Sequence, residues 1–147
     1  KRCSFRWRIA VRAEPFWKAT LGVAIPDPWI DVQTVAYLEE IAFEFRDKKK
    51  KKLRVATKYP NLTKEFLFSK GVTQFQLVES LGATEAYPFT GSANLITDIS
   101  STGVTIKSNN LRILKDGEIL KSQACIFTSK KNLKKKGLKI LVKLLSK

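Results

Sequence analysis

A turn near residue 100 concentrates the residue types that bind phosphate and ribose. Its one carboxylate, four hydroxyls and one glycine stand in the order Asp98-Ile99-Ser100-Ser101-Thr102-Gly103-Val104-Thr105. Backbone N–H groups exposed by a glycine turn, with Ser and Thr hydroxyls around them, form a concave set of donors for phosphate oxygens. A carboxylate at a strand end can accept hydrogen bonds from vicinal ribose hydroxyls. The turn therefore predicts a sugar-phosphate site, with an ordinary Ser/Thr loop as the alternative when context is ignored.

The elements predicted around this turn would place it at the edge of a sheet. Apolar runs alternate with helical periodicity, with strands predicted at residues 21–25, 53–57, 75–79 and 95–99 and helices at residues 35–45 and 62–70. This alternation predicts an α/β fold with a largely parallel sheet. Ligands of such sheets bind beyond the carboxyl ends of the strands, and residues 98–105 follow one of those ends.

Local signals make further structural predictions. Asn61 is predicted to cap the second helix, and Gly71 to end it in a left-handed conformation. A short helical piece is predicted within residues 82–91. The pair Asp116-Gly117 is a strong signal for a hairpin turn. The strands of that hairpin are predicted at residues 111–114 and 119–128.

The formal net charge of +15 is concentrated in three segments. Residues 1–18 carry six basic and one acidic residue, residues 46–54 carry seven and one, and residues 130–147 carry eight lysines and no acid. The rest of the chain is therefore net negative. The lysine run at residues 48–52 is either a solvated connection or a contact for anions or nucleic acid. The last segment predicts a basic amphipathic helix, whose apolar face docks on its own domain more often than it lies on an anionic membrane.

The chemistry of the chain is limited by residue types that are missing or unpaired. Histidine is absent, which excludes His-based acid–base catalysis, His metal sites and every Ser-His-Asp scheme. Cys3 and Cys125 lie far apart and form neither a zinc motif nor a disulfide framework, so free thiols in a reducing cytoplasm are expected, with Cys125 in a core. No apolar run approaches the ~18 residues of a membrane span, and the basic start lacks the apolar segment of a secretory signal.

The order of residues in the turn resembles the ribose-phosphate loop of phosphoribosyltransferases. Its surroundings are similar to the signature of one family, ATP phosphoribosyltransferase, which opens histidine biosynthesis. The matching positions are Glu85, Gly91-Ser92-Ala93, Ile96, Asp98-Ile99 and Thr102-Gly103-Val104-Thr105. The resemblance also covers residues 54–63 and 78–85 and is traceable from about residue 20 to residue 129. Thr97 departs from the loops that begin with two acids, and Ile106 stands where the family usually has Leu or Met.

The resemblance implies an α/β, two-lobed architecture similar to the type II periplasmic-binding proteins, with the substrate cleft between the lobes. One lobe would be discontinuous and incomplete here, formed by residues 16–50 and 119–147. The inserted lobe, residues 53–115, would carry the ribose-phosphate loop, and residues 1–15 have no assignment. The N-terminal portion of the family has no counterpart in the chain. We therefore expect a truncated catalytic subunit, and turnover by residues 1–147 alone would contradict that expectation.

The implied reaction transfers a phosphoribosyl group from phosphoribosyl pyrophosphate to N1 of ATP and releases pyrophosphate. Asp98 would hold the ribose hydroxyls. The 5′-phosphate would be wrapped by Ser101, Thr102, Gly103, Val104 and Thr105. Lys58 is a weaker candidate for a nucleotide phosphate, and Glu85 would either orient substrate or cap a helix. No protein nucleophile is needed, because positioning and charge stabilisation carry the catalysis. Mg²⁺ on the pyrophosphate would assist, with no metal ligand expected from the protein.

The resemblance also implies partners and a location. Residues 21–26 and 29–32 look like the short-form members of the family, and only the basic helix follows Lys130. Short-form members depend on a regulatory subunit similar to histidyl-tRNA synthetase, so we expect that partner, a homo-oligomer and a cytoplasmic enzyme with no specific nucleic acid or membrane target. The alternative is a non-catalytic nucleotide- or phosphate-binding module, or an inactive fragment of such an enzyme.

Overall fold

The computed structural model describes residues 10–11, 18–123, 126–127 and 134–145. These residues fall into two compact units, which are described separately. The larger unit is Ala19–Lys121, and the other unit contains the described residues on either side of it.

Strands and helices alternate along the chain. The elements are β1 (Ala10–Val11), β2 (Lys18–Pro26), α1 (Tyr37–Lys49), β3 (Leu53–Thr57), α2 (Pro60–Ser69), β4 (Phe75–Glu79), a 3₁₀ turn (Thr84–Ala86), β5 (Leu95–Ser100), α3 (Val104–Ser108), β6 (Leu111–Gln123), β7 (Ile126–Phe127) and α4 (Lys136–Leu145). The bounds predicted for β3 and β4 are confirmed to the residue, and the short helical piece before β5 is confirmed as the 3₁₀ turn.

The larger unit is built on a five-stranded sheet with the order β4-β3-β5-β2-β6. β3 pairs in parallel with both β4 and β5, whereas β2 runs antiparallel to β5. The predicted parallel sheet is thus confirmed for three strands and wrong for β2. Residues 21–25 of β2 are buried on both faces. The sequence of such a strand is a continuous apolar run, which is also the pattern of a strand in a parallel sheet.

Two apolar clusters cover the two faces of the sheet. Residues of α1 and α2 pack on one face, against the strand side chains Val23, Ile25, Leu53, Val55 and Leu95. The other face is covered by Ile106 of α3 and by Tyr87. Its strand side chains are Ala24, Ala56, Ile96 and Leu111. Neighbouring residues in each strand alternate between the two clusters, as the pleat of a strand requires.

Helix α2 begins without a side-chain cap. Asn61 was expected at the cap, but Pro60 opens the helix and Tyr59 occupies the cap position without a side-chain hydrogen bond. The proline ring presets the helical φ and lacks an N–H that would need a partner there, so it favours a helix start at Pro60 and places Asn61 inside the first turn. Gly71 ends the helix with φ of +82°, which confirms the predicted left-handed stop.

The predicted hairpin at Asp116-Gly117 is wrong, because β6 continues through both residues. Asp116 instead accepts a hydrogen bond of 2.8 Å from the Val35 N–H just before α1 and forms a 3.5 Å ion pair with Lys70. A β-carbon on Gly117 would lie 3.1 Å from the carbonyl oxygen of Val23 on β2. Asp116 thus attaches the start of α1 to β6, and Gly117 allows β6 to pack closely against β2.

The unit boundaries differ from the predicted lobe boundaries. The predicted inserted lobe was residues 53–115, with residues 16–50 in the other lobe. In the structure β2 lies between β5 and β6, and α1 packs in the same core as α2, so residues 19–50 share one unit with residues 53–115. The connecting points lie near residues 18 and 121 rather than near 50 and 117.

The second unit contains β1, β7 and α4. β1 pairs antiparallel with β7, with Ala10 opposite Phe127. The predicted basic helix is confirmed as α4, in which Leu138 is half-buried and Ile140, Leu141 and Leu144 are exposed. No helix in the described part of the chain is both long and apolar enough to cross a bilayer. The predictions for Cys3 and Cys125 lie outside the described residues.

Replacing Gly117 by alanine should destabilise the chain by about 1–3 kcal/mol, because the new methyl group must displace the Leu114 side chain at 3.0 Å or the β2 backbone. Gly82→Ala is the matched control, since a β-carbon there meets nothing within 4 Å. Urea unfolding of both variants measures the difference. Equal stability of the two variants would contradict the close approach of β6 to β2.

Candidate functional site

Two neighbouring strands end side by side at one edge of the larger unit. β3 and β5 are parallel, and Thr57 lies opposite Thr97 in their register. Lys58 directly follows β3, and Asp98 is the β5 residue after Thr97, so the parallel pairing places this cation and this carboxylate near the same edge. The predicted turn at residues 98–105 is shorter in the structure, because residues 98–100 belong to β5, α3 begins at Val104, and only residues 101–103 lie between the two elements.

Thr97 and Asp98 point to opposite faces of the sheet. The hydroxyl of Thr97 is fully buried and bonds to Thr63 of α2, whereas Asp98 is half-buried and lies opposite Gly22 of β2. Consecutive side chains of a strand alternate in this way. The position that carries an acid in many phosphoribosyltransferases is thus turned into the helix-covered face here, where a threonine fits and a second carboxylate would need a buried partner.

The turn after β5 is ordered by its own polar groups. Asp98 Oδ1 accepts a 2.8 Å hydrogen bond from the Ile99 N–H, and the Ser100 hydroxyl accepts one of 2.8 Å from the Gly103 N–H. Gly103 has φ of +75°, a left-handed conformation that side chains disfavour. The side chains of Ser101, Thr102 and Thr105 remain exposed, so their hydroxyls are accessible for a ligand.

Helix α3 anchors the far end of the turn. Ile106 is 4% exposed and packs with Ile96 and Ala56 beneath the sheet. Val104 is 65% exposed, so its contribution to a site would come from its backbone N–H rather than from its side chain. That N–H lies 3.4 Å from the Thr102 hydroxyl. The turn is therefore held at both ends, by β5 and by the buried isoleucine.

Asp98 experiences opposing electrostatic influences. Burial raises its pKa most strongly, the Ile99 N–H and the charge of Lys58 lower it, and the charge of Glu85 raises it, so that the pKa lies above its ordinary value. Lys58 and Glu85 are therefore close enough to Asp98 to act on its charge. The predicted site residues lie after β3, in β5 and the turn that follows it, at the start of α3 and in the 3₁₀ turn, and their roles stay predictions.

Three threonines beneath the site form a hydrogen-bonded ring that the sequence analysis missed. The Thr97 hydroxyl donates to Thr57 at 2.6 Å, the hydroxyls of Thr57 and Thr63 are 3.0 Å apart, and those of Thr63 and Thr97 are 2.7 Å apart. All three residues are 0% exposed. Thr57 also accepts from the Tyr59 N–H at 2.9 Å. The available signal was a threonine in each of two buried strands and a third in the first turn of the helix after β3.

A second pair of buried hydroxyls connects the 3₁₀ turn to the strands. The Ser80 N–H donates to the carbonyl oxygen of Thr57 at 3.0 Å, and the hydroxyls of Ser80 and Thr84 are 2.8 Å apart. Glu85 follows Thr84 in the chain. The carboxyl ends of β3 and β4 and the segment that carries Glu85 are thus tied together by polar contacts.

Acidic side chains are sparse around the site. Within the described ranges no group of three or more His, Cys, Asp or Glu side chains is placed to hold a metal ion. Asp98 and Glu85 supply oxygen ligands of the type that Mg²⁺ prefers, but a protein-built magnesium site would require more of them or several waters. The described residues do not form a cage for this ion.

The fold and the site define the class of protein. The chain forms a mixed α/β unit of the type II periplasmic-binding-protein-like kind. The probable amino-acid-transporter binding protein YtmK of Bacillus subtilis has this fold, with a TM-score of 0.59 at 12% identity, covering 95% of this chain and 56% of that one. The ATP phosphoribosyl transferase (HisG:HisZ) complex of Thermotoga maritima has a TM-score of 0.59 at 25% identity, covering 97% and 60%.

Sequence comparison identifies the family. The ATP phosphoribosyltransferase (HisG) family model matches residues 11–147. The ATP phosphoribosyltransferase of Chelativorans sp. is 50% identical over 117 residues, which are 79% of this chain and 51% of that protein. The Brucella suis enzyme is 46% identical over 127 residues, or 85% and 55%. The chain belongs to the ATP phosphoribosyltransferase family, and it spans about half the length of the curated relatives it matches.

Asp98→Asn should raise the free energy of unfolding at neutral pH, because the amide retains an acceptor for the Ile99 N–H and carries no charge to bury. The pKa of Asp98 is raised in the folded state. The free-energy cost of burying its charge is therefore fully present above the folded-state pKa and absent below the unfolded-state pKa. The advantage of the variant should therefore shrink as the pH falls toward about 3.

Urea unfolding at a series of pH values measures this advantage. Asp31→Asn, which alters an exposed carboxylate, is the control and should show no comparable gain. An Asp98→Asn chain that is less stable than the parent at neutral pH would contradict the burial cost.

Proposed function

We propose that this chain is the substrate-binding part of an ATP phosphoribosyltransferase. The proposed reaction transfers a phosphoribosyl group from phosphoribosyl pyrophosphate to N1 of ATP, releases pyrophosphate and begins histidine biosynthesis. Family membership over residues 11–147 supports the reaction class. Because the chain spans about half the length of its relatives, the complete activity is proposed for an enzyme that supplies the rest of the site.

The observation that carries the proposal is the arrangement of Asp98 and the turn that follows it. The carboxylate stands in β5, two residues before the strand ends at Ser100, and the exposed hydroxyls of Ser101 and Thr102 follow in a turn fixed by Gly103. A ribose 5-phosphate has two vicinal hydroxyls near one end and a phosphate at the other. An acceptor next to a cluster of donors therefore matches both ends of this sugar phosphate.

Each residue has one proposed role. Asp98 accepts hydrogen bonds from the ribose hydroxyls, for which its carboxylate form is needed. The 5′-phosphate is bound by hydroxyls and backbone N–H groups of Ser101, Thr102, Gly103, Val104 and Thr105. Lys58 attracts the negative charge of a substrate phosphate, since its ammonium group is exposed at the same edge. Glu85 orients the sugar from the 3₁₀ turn.

The chemistry requires positioning more than reactive side chains. N1 of the adenine attacks the anomeric carbon of the ribose, the bond to pyrophosphate breaks, and the electron pair leaves with the pyrophosphate oxygen. Holding the two anionic substrates in this alignment and balancing the charge of the leaving group lowers the barrier. Mg²⁺ would enter on the phosphates of phosphoribosyl pyrophosphate, as part of that substrate.

The partners of the enzyme belong to the same proposal. The neighbour from Thermotoga maritima is described as a HisG:HisZ complex. We expect this chain, as part of a homo-oligomeric and cytoplasmic enzyme, to bind a HisZ-like regulatory subunit similar to histidyl-tRNA synthetase. Co-purification with such a subunit tests this expectation.

Gly103→Val should weaken binding of phosphoribosyl pyrophosphate about tenfold to a hundredfold, as expected when one charge-assisted hydrogen bond is lost. The side chain disfavours the left-handed conformation that shapes the turn. Titration calorimetry on the 147-residue chain measures the affinity.

Gly71→Val is the matched control for this experiment. Gly71 also has a positive φ and open space around it, but it follows α2, at the other end of that helix from the site edge. The control should lose stability to a similar extent and keep its affinity. Equal affinity of the Gly103→Val chain and the parent, or binding that falls steeply with salt in both, would contradict the proposed loop.

A further inference from the structure

The threonine ring is a feature whose presence burial alone does not explain. Thr57, Thr63 and Thr97 are 0% exposed, and valine has nearly the same shape without a hydroxyl that needs a partner. A buried hydroxyl costs free energy unless it is hydrogen-bonded, whereas an apolar replacement of a whole bonded set can be neutral. The hydrogen bonds among the three hydroxyls therefore fix the orientation and separation of the side chains, which apolar contact alone would not do.

The ring closes with every hydroxyl used. Thr97 donates to Thr57, so the proton of Thr57 is directed to Thr63 and that of Thr63 to Thr97. Each hydroxyl donates once and accepts once, and Thr57 accepts a second bond from the Tyr59 N–H. The three distances, 2.6 to 3.0 Å, fix the separation of three segments at once.

Those three segments carry or adjoin the charged groups of the site. Thr57 precedes Lys58 at the end of β3, and Thr97 precedes Asp98 within β5. Thr63 lies in the first turn of α2, which begins two residues after Lys58. The ring therefore links the backbone segments from which Lys58 and Asp98 extend.

We propose that the ring of Thr57, Thr63 and Thr97 is a positioning device that sets the distance between Lys58 and Asp98 at the sugar-phosphate site. The role in substrate binding rests on the proposed function, whereas the effect on the distance between the two charges does not. The three threonines touch no substrate in this proposal. They act through Lys58, which follows Thr57, and through Asp98, which follows Thr97.

The test measures how strongly Lys58 and Asp98 sense one another with and without the ring. In the 147-residue chain, Lys58→Gln should raise the pKa of Asp98, because a favourable charge is removed. The same substitution in a Thr63→Val background should raise it by roughly half as much or less, because the interaction of two charges weakens with distance. NMR titration of the Asp98 carboxyl carbon gives both values without any substrate.

Two controls separate positioning from general stability. Thr63→Ser keeps the hydroxyl and should keep the full response of Asp98 to Lys58→Gln. Leu67→Ala removes a fully buried side chain from the same helix and leaves the ring intact. It should lose stability and also keep the full response. A Thr63→Val chain that responds as fully as the Leu67→Ala chain would overturn the proposal.

Binding of phosphoribosyl pyrophosphate provides the second readout. Thr63→Val should reduce the affinity about tenfold or more at a temperature where the chain stays folded, whereas Thr63→Ser and Leu67→Ala should not. If the parent chain binds no phosphoribosyl pyrophosphate, the proposed function fails while the pKa comparison still decides the positioning role. Full affinity in Thr63→Val together with a full pKa response would remove both effects of the ring.

A second variant covers the case in which Thr63→Val does not fold. Thr97→Val retains the contact between Thr57 and Thr63, and a β-branched residue suits the buried strand. It should give the same reduced response of Asp98 to Lys58→Gln. Thr57 is left unchanged in every variant, because its hydroxyl also satisfies the Tyr59 N–H.

Discussion

The parallel pairing of β3 with β5 is the constraint on which the rest of the site depends. Parallel strands end at the same edge of a sheet, so residues that are 40 positions apart in the chain, such as Thr57 and Thr97, become neighbours. The pleat then decides which side chains face α2 and which face the 3₁₀ turn and α3. Asp98 reaches the site because Thr97 occupies the buried position before it. A shift of one residue in this register would exchange the two.

The same edge shows a conflict between folding and binding. Partial burial and the negative charge of Glu85 both disfavour the ionised form of Asp98. The Ile99 N–H and Lys58 offset only part of this free-energy cost. A chain selected for stability alone would place a neutral residue there. Functional sites commonly carry such unfavourable groups, because a partly desolvated acceptor binds a sugar hydroxyl more strongly than one surrounded by water.

Sequence reasoning reached the parts of the structure that local patterns determine. The ends of β3 and β4 and the turn after β5 could be predicted because apolar runs bounded by turn residues have few alternatives. The direction of β2 could not, since a strand buried on both faces has no polar alternation to reveal its neighbours. The pair Asp116-Gly117 led to a wrong hairpin prediction because these residue types are typical of turns. In the structure Asp116 accepts a hydrogen bond from the distant Val35 N–H, and Gly117 allows β2 to approach closely. The threonine ring joins residues from three elements, and no local pattern contains it.

The ring also determines how the site responds to its medium. Lys58, Glu85 and Asp98 carry charges, so their interactions change with salt and with pH. The threonine hydroxyls beneath them are neutral, do not titrate in the biological range and are sealed from solvent. The hydrogen bonds of the threonine ring are therefore insensitive to ionic conditions, whereas the interactions among Lys58, Glu85 and Asp98 are sensitive to them. Acidification or added salt would alter the strength of the charges at this edge and leave their spacing unchanged.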